Sequence, residues 1–226
     1  RGSSMNRTVS NYLATALLLA AATTFVNVGN ALTAQGAEAS EPAAAVGKQA
    51  PDFSLSDTNG KRRALSDAAG KFVVLEWTNY DCPFVRKHYE SKNMQGLQKT
   101  YTSKGVIWYS ICSSAPDRQG NYTPQKINEL MKGNGAVPTA YLIDADGKVG
   151  KLYGAKASPH MFIVNPKGTL IYAGAIDDNN STDISDLKQA TNYVQKALSE
   201  AMAEKPKPVS TPMTQAYGCS IKYARP

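Results

Sequence analysis

The side chains in this 226-residue sequence best suited to covalent chemistry are three cysteines, at positions 82, 112 and 219. The first stands in "NYDCPFVRKHY", residues 79–89. Pro83 follows it, and proline suits the first position of a helix, where its missing N–H costs nothing. A cysteine just ahead of that position meets unpaired backbone N–H groups and the positive end of the helix dipole, both of which favour a thiolate. Arg86, four residues on, shares the helical face and adds positive charge, whereas Lys87 and His88 point elsewhere. The thiolate is the nucleophilic form, so the placement predicts a reactive Cys82. Cys112 ends an apolar run, where a free cysteine packs as a small hydrophobe. Cys219 follows Gly218 in a polar tail with prolines at 206, 208 and 212, which reads as a semi-rigid tether. Closing a long loop costs little more than closing a short one, so Cys219 is the candidate resolving partner of Cys82. A free tail thiol and a disulfide between molecules are the alternatives.

The elements that must position Cys82 are legible around it. "KFVVLEW" (71–77) is a near-continuous apolar run of the kind found in a buried central strand. Residues 83–101 have helical character, and "VIWYSIC" (106–112) is a second strand, which makes a βαβ unit with a right-handed crossover. A hairpin turn at "TNGK" precedes the unit. After it come a helix capped by Thr123 with Pro124 at its first position, a strand in "TAYLID" and a turn-helix element. Two strands joined by the turn Asn165–Gly168 follow. Leu187, Ala190, Val194, Leu198 and Met202 then recur at helical spacing, which predicts one amphipathic helix over 185–205. The acidic stretches "DADG" (144–147) and "DDNNSTD" (177–183) read as a tight turn and as a loop capping that last helix.

A hydrophobic content of 42% over this length supports one well-cored domain plus extensions. The formal charge is +7, but basic residues are scattered and do not interleave with aromatics, so no nucleic-acid partner is expected. "RGSS" ahead of Met5 reads as a tag remnant, and the uncharged stretch from Thr8 to Ala37 as a signal peptide with Ala37-Glu38-Ala39 as its cleavage site. The expected organisation is therefore tag and signal over 1–39, a linker over 40–47, a domain over 48–204 and a tail over 205–226. The protein is expected to be periplasmic or otherwise exported, and membrane-bound only if the signal is retained. In such a compartment disulfides persist.

The order of elements resembles the thioredoxin arrangement: an α/β fold with a central mixed sheet flanked by helices, an N-terminal hairpin and an inserted segment at about 137–154. "APDFSLSDTNGK", "GKFVVLEW", Cys82-Pro83, "IDADGKVGKLYGA", "SPHMFIV" and "NPKGTLIYAGAIDD" occur in that order. Together they resemble the redoxin branch of the thioredoxin superfamily, specifically the peroxiredoxin-like proteins of the alkyl hydroperoxide reductase/thiol-specific antioxidant group. The likeness covers roughly residues 45–203. It implies a peroxidatic role for Cys82, yet the peroxiredoxin Pro and Thr/Ser positions hold Leu75 and Asn79, and "ASPH" stands where an arginine is expected. Asn79 retains an amide that can donate toward a bound peroxide. Ser158-Pro159 is similar instead to the cis-proline loop of thioredoxins and disulfide reductases, where a substrate strand lies against the cysteine. The thioredoxin Cys-x-x-Cys pair is broken as well, because Val85 occupies its second position.

The leading expectation is thus a thiol-dependent oxidoreductase in which Cys82 attacks a protein or small-molecule disulfide and Cys219 resolves the mixed disulfide. The alternatives are a peroxidase working through a Cys82 sulfenic acid and a redox-inert binding module. Arg86 would stabilise the thiolate, Ser158 and Pro159 would receive substrate, and Trp77 and Tyr80 would shape the mouth of the site. No cofactor and no metal site are expected, only a thiol electron donor.

Overall fold

The apolar run 71–77 alternates in a way that explains its central position. In strand β3 (Val73–Trp77) every residue is buried, with Val73, Leu75 and Trp77 in the core on one face and Val74 in the core on the other. The structure is a computed structural model, and it describes residues 44–225. The expected signal peptide lies outside the described residues.

Around β3 the chain builds a seven-stranded mixed sheet. In chain order the strands are β1 (Ser54–Asp57), β2 (Arg62–Ala64), β3, β4 (Ile107–Cys112) and β5 (Ala140–Ile143), followed by β7 (His160–Val164) and β8 (Leu170–Gly174). A short pair lies apart from the sheet, β6 (Ala157–Ser158) with β9 (Cys219–Ser220). The order across the sheet is β2-β1-β5-β4-β3-β7-β8, with β3, β4 and β5 parallel and the remaining neighbours antiparallel. The hairpin β1–β2 turns where expected, and Asp57 fixes it by accepting from the backbone N–H groups of Asn59 and Lys61 at 2.9 and 3.0 Å. The segment 137–154 supplies β5 to the sheet and a short helix α4 (Lys148–Leu152). Asp144 holds that turn by accepting from the N–H groups of Val149 and Gly150.

Helices α1 (Pro83–Glu90), α2 (Asn93–Thr102), α3 (Pro124–Asn134) and α5 (Tyr193–Ala201) contribute to the core on the Val74 face. Thr123 caps α3, accepting from Lys126 N–H at 3.3 Å. Two expectations are corrected here. The single helix over 83–101 is two helices, because Lys92 takes a left-handed conformation (φ 64°) and breaks the run. The helix over 185–205 is also two pieces: a 3-10 turn, Ile184–Lys188, capped by Asp183, and then α5, capped by Asn192. Asn192 accepts from Gln195 N–H at 2.8 Å, and this cap prevails over the continuous apolar spacing.

The tail is the largest departure. It is not a tether, because it straps back across the domain. Ser210 donates to Glu200, Ala173 N–H donates to Pro212 O at 3.1 Å, and Thr214 N–H returns to Ala173 O at 3.1 Å. Farther on, Ile221 N–H reaches Lys156 O, Ala115 N–H reaches Lys222 O, and the Tyr223 hydroxyl donates to Ala155 O.

Candidate active site

Strand β3 and strand β7 run antiparallel with Trp77 opposite His160, so the loop leaving β3 lies beside the loop entering β7. The first loop carries Cys82 and the second carries Ser158 and Pro159. Cys82 is the N-cap of α1 in extended backbone, with Pro83 at the first helical position as expected. Its N–H donates to Asn79 O at 2.9 Å, and its carbonyl accepts from Arg86 N–H at 2.9 Å. The side chain is 1% exposed, and Sγ donates to the carbonyl of Ser158 at 3.1 Å. The Ser158-Pro159 peptide is cis.

What faces this carbonyl from the other side is the strap. β6 and β9 pair antiparallel, with Ser158 opposite Cys219 and Ala157 opposite Ser220. Cys82 and Cys219 are therefore brought to the same backbone residue although 137 positions separate them, and both are free thiols. Burial pushes the Cys219 thiol up to about 12, and the Cys82 sulfur beside it adds to the rise; Lys222 and Arg86 pull the other way. Cys219 thus stays protonated at neutral pH until the burial or the neighbouring sulfur changes.

The remaining expected site residues divide. Arg86 is exposed on α1, and its charge is felt at the cysteine pair through Cys219. Asn79 does not face the thiol: its Oδ1 accepts from Asp81 N–H at 3.0 Å and its Nδ2 donates to Gln119 O at 3.4 Å. Its amide closes the loop. Trp77 does not shape a mouth either. It is 1% exposed on the opposite face of the sheet, packed on Tyr153 and Phe162, with Nε1 donating to Ser113 Oγ at 2.9 Å. Strand parity sends Trp77 to that face. Tyr80 is also buried, with its ring stacked on Tyr141 and edge-on to Tyr89. Val85, at the broken second position of the Cys-x-x-Cys pattern, lies fully inside the core. Cys112 is buried, and its Sγ donates to Gly120 O at 3.4 Å.

Sequence reasoning missed a buried polar group under the strap. Lys87 and His88 do not point to solvent; they are 1% and 0% exposed. Lys87 Nζ donates to Asn179 O at 3.0 Å, and His88 lies among Asn93, Tyr217 and Asp177. Tyr217, two residues before Cys219, was the available signal: an aromatic next to a glycine and a cysteine in an otherwise polar tail. Burial, and then the Lys87 ammonium, pushes the His88 pKa down to about 3; burial and Lys156 push His160 down to about 4. An unfolded histidine titrates near 6.5. Folded-state values below that mean a contribution to stability present above pH 6.5 and lost as pH falls from 6.5 toward 3. The melting temperature is expected to drop steadily below about pH 6.5, with His88 accounting for on the order of 3 kcal/mol by pH 4. In His88→Gln the slope of melting temperature against pH between 6.5 and 4 should become clearly shallower; an unchanged slope would refute the assignment.

The comparisons with known proteins bear on this geometry. Residues 46–173 match the model of the AhpC/TSA family. The chain belongs to the AhpC/TSA family. Its fold is thioredoxin-like, as a redoxin of that superfamily requires. Among curated relatives of this AhpC/TSA chain, the thiol-disulfide oxidoreductase ResA of Bacillus subtilis is 33% identical over 127 residues, 55% of this chain and 64% of the relative. ResA of Geobacillus thermodenitrificans is 35% identical over 124 residues, 49% of this chain and 70% of the relative. The chain thus spans a little under two thirds of the length of the Bacillus subtilis relative. An uncharacterized conserved protein of Geobacillus kaustophilus has a solved structure that aligns with 80% of this chain and 94% of its own, at 27% identity and a TM-score of 0.68. A hypothetical protein of Sinorhizobium meliloti shares the fold at 24% identity and a TM-score of 0.67, again over 80% of this chain. That coverage exceeds residues 46–173, so these structural likenesses extend beyond the AhpC/TSA match.

Proposed function

We propose that the protein is a thiol-disulfide oxidoreductase that cycles between a Cys82/Cys219 dithiol and a Cys82–Cys219 disulfide. The observation that carries this reading is the pairing of Cys219 with Ser158, whose carbonyl accepts the Cys82 thiol. Similarity to the ResA proteins, named as thiol-disulfide oxidoreductases, supports the same chemistry. In the forward direction the Cys82 thiolate attacks one sulfur of an external disulfide R–S–S–R′. The S–S bond breaks, Cys82–S–S–R forms, and R′–S⁻ leaves to be protonated. Cys82 no longer carries a charge or a thiol toward Cys219 at that stage, which removes one cause of the high Cys219 pKa. Cys219 then loses its proton and attacks the Cys82 sulfur, expelling R–S⁻. The protein has given up two electrons, and the external disulfide has become two thiols. An external thiol donor restores the dithiol by the reverse exchange.

Arg86, exposed beside the pair, supplies positive charge that favours the Cys219 thiolate. Ser158 and Pro159 form the surface against which the reacting strand lies. Asn79 serves the site indirectly, by holding the loop from which Cys82 projects. An exported location accords with the uncharged stretch over residues 8–37 and with the persistence of disulfides outside the cytosol. Among the described residues no helix is long and apolar enough to cross a membrane.

The test uses hydroxyethyl disulfide with mass spectrometry of the quenched protein. Wild-type protein should accumulate an intramolecular Cys82–Cys219 disulfide and release two equivalents of mercaptoethanol. Cys219→Ser should stop at the Cys82 mixed disulfide with one equivalent released. Cys82→Ser should be inert, with a loss of at least about a thousandfold, because a serine hydroxyl is not ionised at neutral pH. Reaction with hydrogen peroxide orders of magnitude faster than that of a simple thiolate would overturn the exchange reading in favour of a peroxidase. No reaction with either oxidant would leave a redox-inert module.

A further inference from the structure

The β6–β9 pair is only two residues long, so the register of Cys219 also depends on what grips the chain on either side of it: Ile221, Lys222 and Tyr223 after it, and Tyr217 before it. Tyr217 is gripped on several sides. Its ring packs edge-on against Phe84 at 5.8 Å and lies under the Lys87 ammonium at 5.5 Å. Its hydroxyl donates to Asp177 Oδ1. On its other side the same oxygen lies 3.4 Å from His88 Nε2. The direction of that contact follows from the rest of the chain of bonds. Asn93 Nδ2 donates to His88 Nδ1 at 2.9 Å, while Asn93 Oδ1 accepts from Asn192 Nδ2 at 3.4 Å. With Nδ1 occupied as an acceptor, the imidazole proton resides on Nε2 and points at Tyr217. Asn192, Asn93, His88, Tyr217 and Asp177 therefore form one ordered series of donors and acceptors. Two of its members, His88 and Asp177, are 0% and 1% exposed. Among the described residues Asp177 Oδ2 has no hydrogen-bond partner, and it lies 3.8 Å from His88 Nε2.

The spacing connects this series to the cysteines. Cys82 caps α1 and His88 lies six residues into the same helix, about 9 Å along its axis. Cys219 and Tyr217 are two residues apart, and the chain bends at Gly218 between them (φ 124°), so they lie at most about 7 Å apart. Helix α1 and the strap are thus joined at two places, Cys82 with Cys219 through Ser158 and His88 with Tyr217.

We propose that Tyr217, held by His88 and Asp177, is a positioning residue that latches the strap in register and so sets Cys219 against Cys82. The latch rests on the exchange reading for its purpose, but it can be tested without any redox step. In the closed state Cys82 is shielded, so its alkylation requires the strap to lift. Loss of a hydrogen bond to a carboxylate should make lifting about ten- to a hundredfold more frequent.

The experiment compares reduced Cys219→Ser protein with the Cys219→Ser/Tyr217→Phe double variant. Iodoacetamide labelling is followed separately at Cys82 and Cys112 by peptide mass spectrometry. Phenylalanine keeps the ring packed on Phe84 and removes only the hydroxyl. Labelling at Cys82 is expected to accelerate at least tenfold while Cys112, buried against Gly120, keeps its rate. An unchanged Cys82 rate overturns the latch. Equal acceleration at both thiols overturns it too, since the hydroxyl then serves the whole fold and not the strap. His88→Gln, in the same Cys219→Ser background, is the second variant and should accelerate Cys82 selectively as well. Failure of the exchange reading shows itself elsewhere, as absence of the Cys82–Cys219 disulfide in oxidised wild-type protein.

Discussion

Gly218→Val is expected to slow the second step of exchange by on the order of a hundredfold or more, while leaving the attack of Cys82 on an external disulfide intact or faster. Gly218 has φ +124°, a conformation that side chains rarely adopt, and a Cβ there would land on the carbonyl oxygen of Ser158. That oxygen is backbone and is the acceptor of the Cys82 thiol, so it cannot move aside without disturbing the nucleophile. The strap must give instead, and Cys219 loses its seat opposite Ser158. Resolution then depends on a cysteine searching on a tail, at an effective concentration in the millimolar range, in place of one held in contact. Rapid-quench mass spectrometry with hydroxyethyl disulfide separates the two steps, because the mixed disulfide is visible as an added mass. A Gly218→Val protein that resolves at the wild-type rate would show that docking of the strap is irrelevant to the chemistry. The stability of the domain should change little, since Gly218 lies outside the seven-stranded sheet.

The second large effect is on stability and concerns Glu76 in β3. This carboxylate is 0% exposed and receives four donors: Trp108 Nε1 at 2.8 Å, the Tyr89 hydroxyl at 2.9 Å, Ser110 Oγ at 3.0 Å and Gln98 Nε2 at 3.1 Å. Burial raises its pKa, and the four hydrogen bonds oppose the rise. The group ties β3, β4, α1 and α2 together one residue before β3 ends and the chain leads on to Cys82. Glu76→Ala removes the acceptor and leaves four buried donors facing a void. The expected cost is about 3–5 kcal/mol. For a domain of this size that corresponds to a fall in melting temperature of roughly 10 °C. Glu76→Gln keeps an acceptor and removes the cost of a buried charge, so its loss should be far smaller. Calorimetry of the two variants decides the matter. Equal losses would mean that shape alone is being read, whereas near-wild-type melting of Glu76→Ala would refute the account.

The parts of the fold that sequence revealed are those decided locally. The run at 71–77 is apolar because both faces of β3 are covered, and Cys82-Pro83 announces a helix start by its own chemistry. The cap at Thr123 and the turn at Asn165–Gly168 are likewise short-range. The misreadings come from contacts made across long stretches of chain. Lys87 and His88 fall on the outer side of α1, which an isolated helix would expose, but Tyr217 and the segment from Asp177 arrive to cover it. No glycine or proline marks the break at Lys92, so 83–101 reads as one helix. Leu187 and Ala190 fit the spacing of α5, yet Asn192 starts that helix afresh. Trp77 is a different case. Its alternation with Val73 and Leu75 places it on the face away from Cys82, although it adjoins the Cys82 loop in sequence.

The strap has one more consequence, through its contact at Ala173. Strand β8 ends the sheet, and a terminal strand offers its free backbone groups to any other chain with a strand to add. Ala173 N–H and carbonyl are both taken, by Pro212 and Thr214, and the Thr214 hydroxyl also accepts from Ala175 N–H at 2.9 Å. Pro212 brings no N–H of its own to recruit a further strand. At the opposite border β2 is three residues long and carries Arg62 and Arg63. The same peptide that carries Cys219 therefore covers the border of the sheet at Ala173. On the proposed exchange cycle, lifting of the strap as far as Ala173 would also uncover this border, and solubility and turnover would then be coupled through a single stretch of tail.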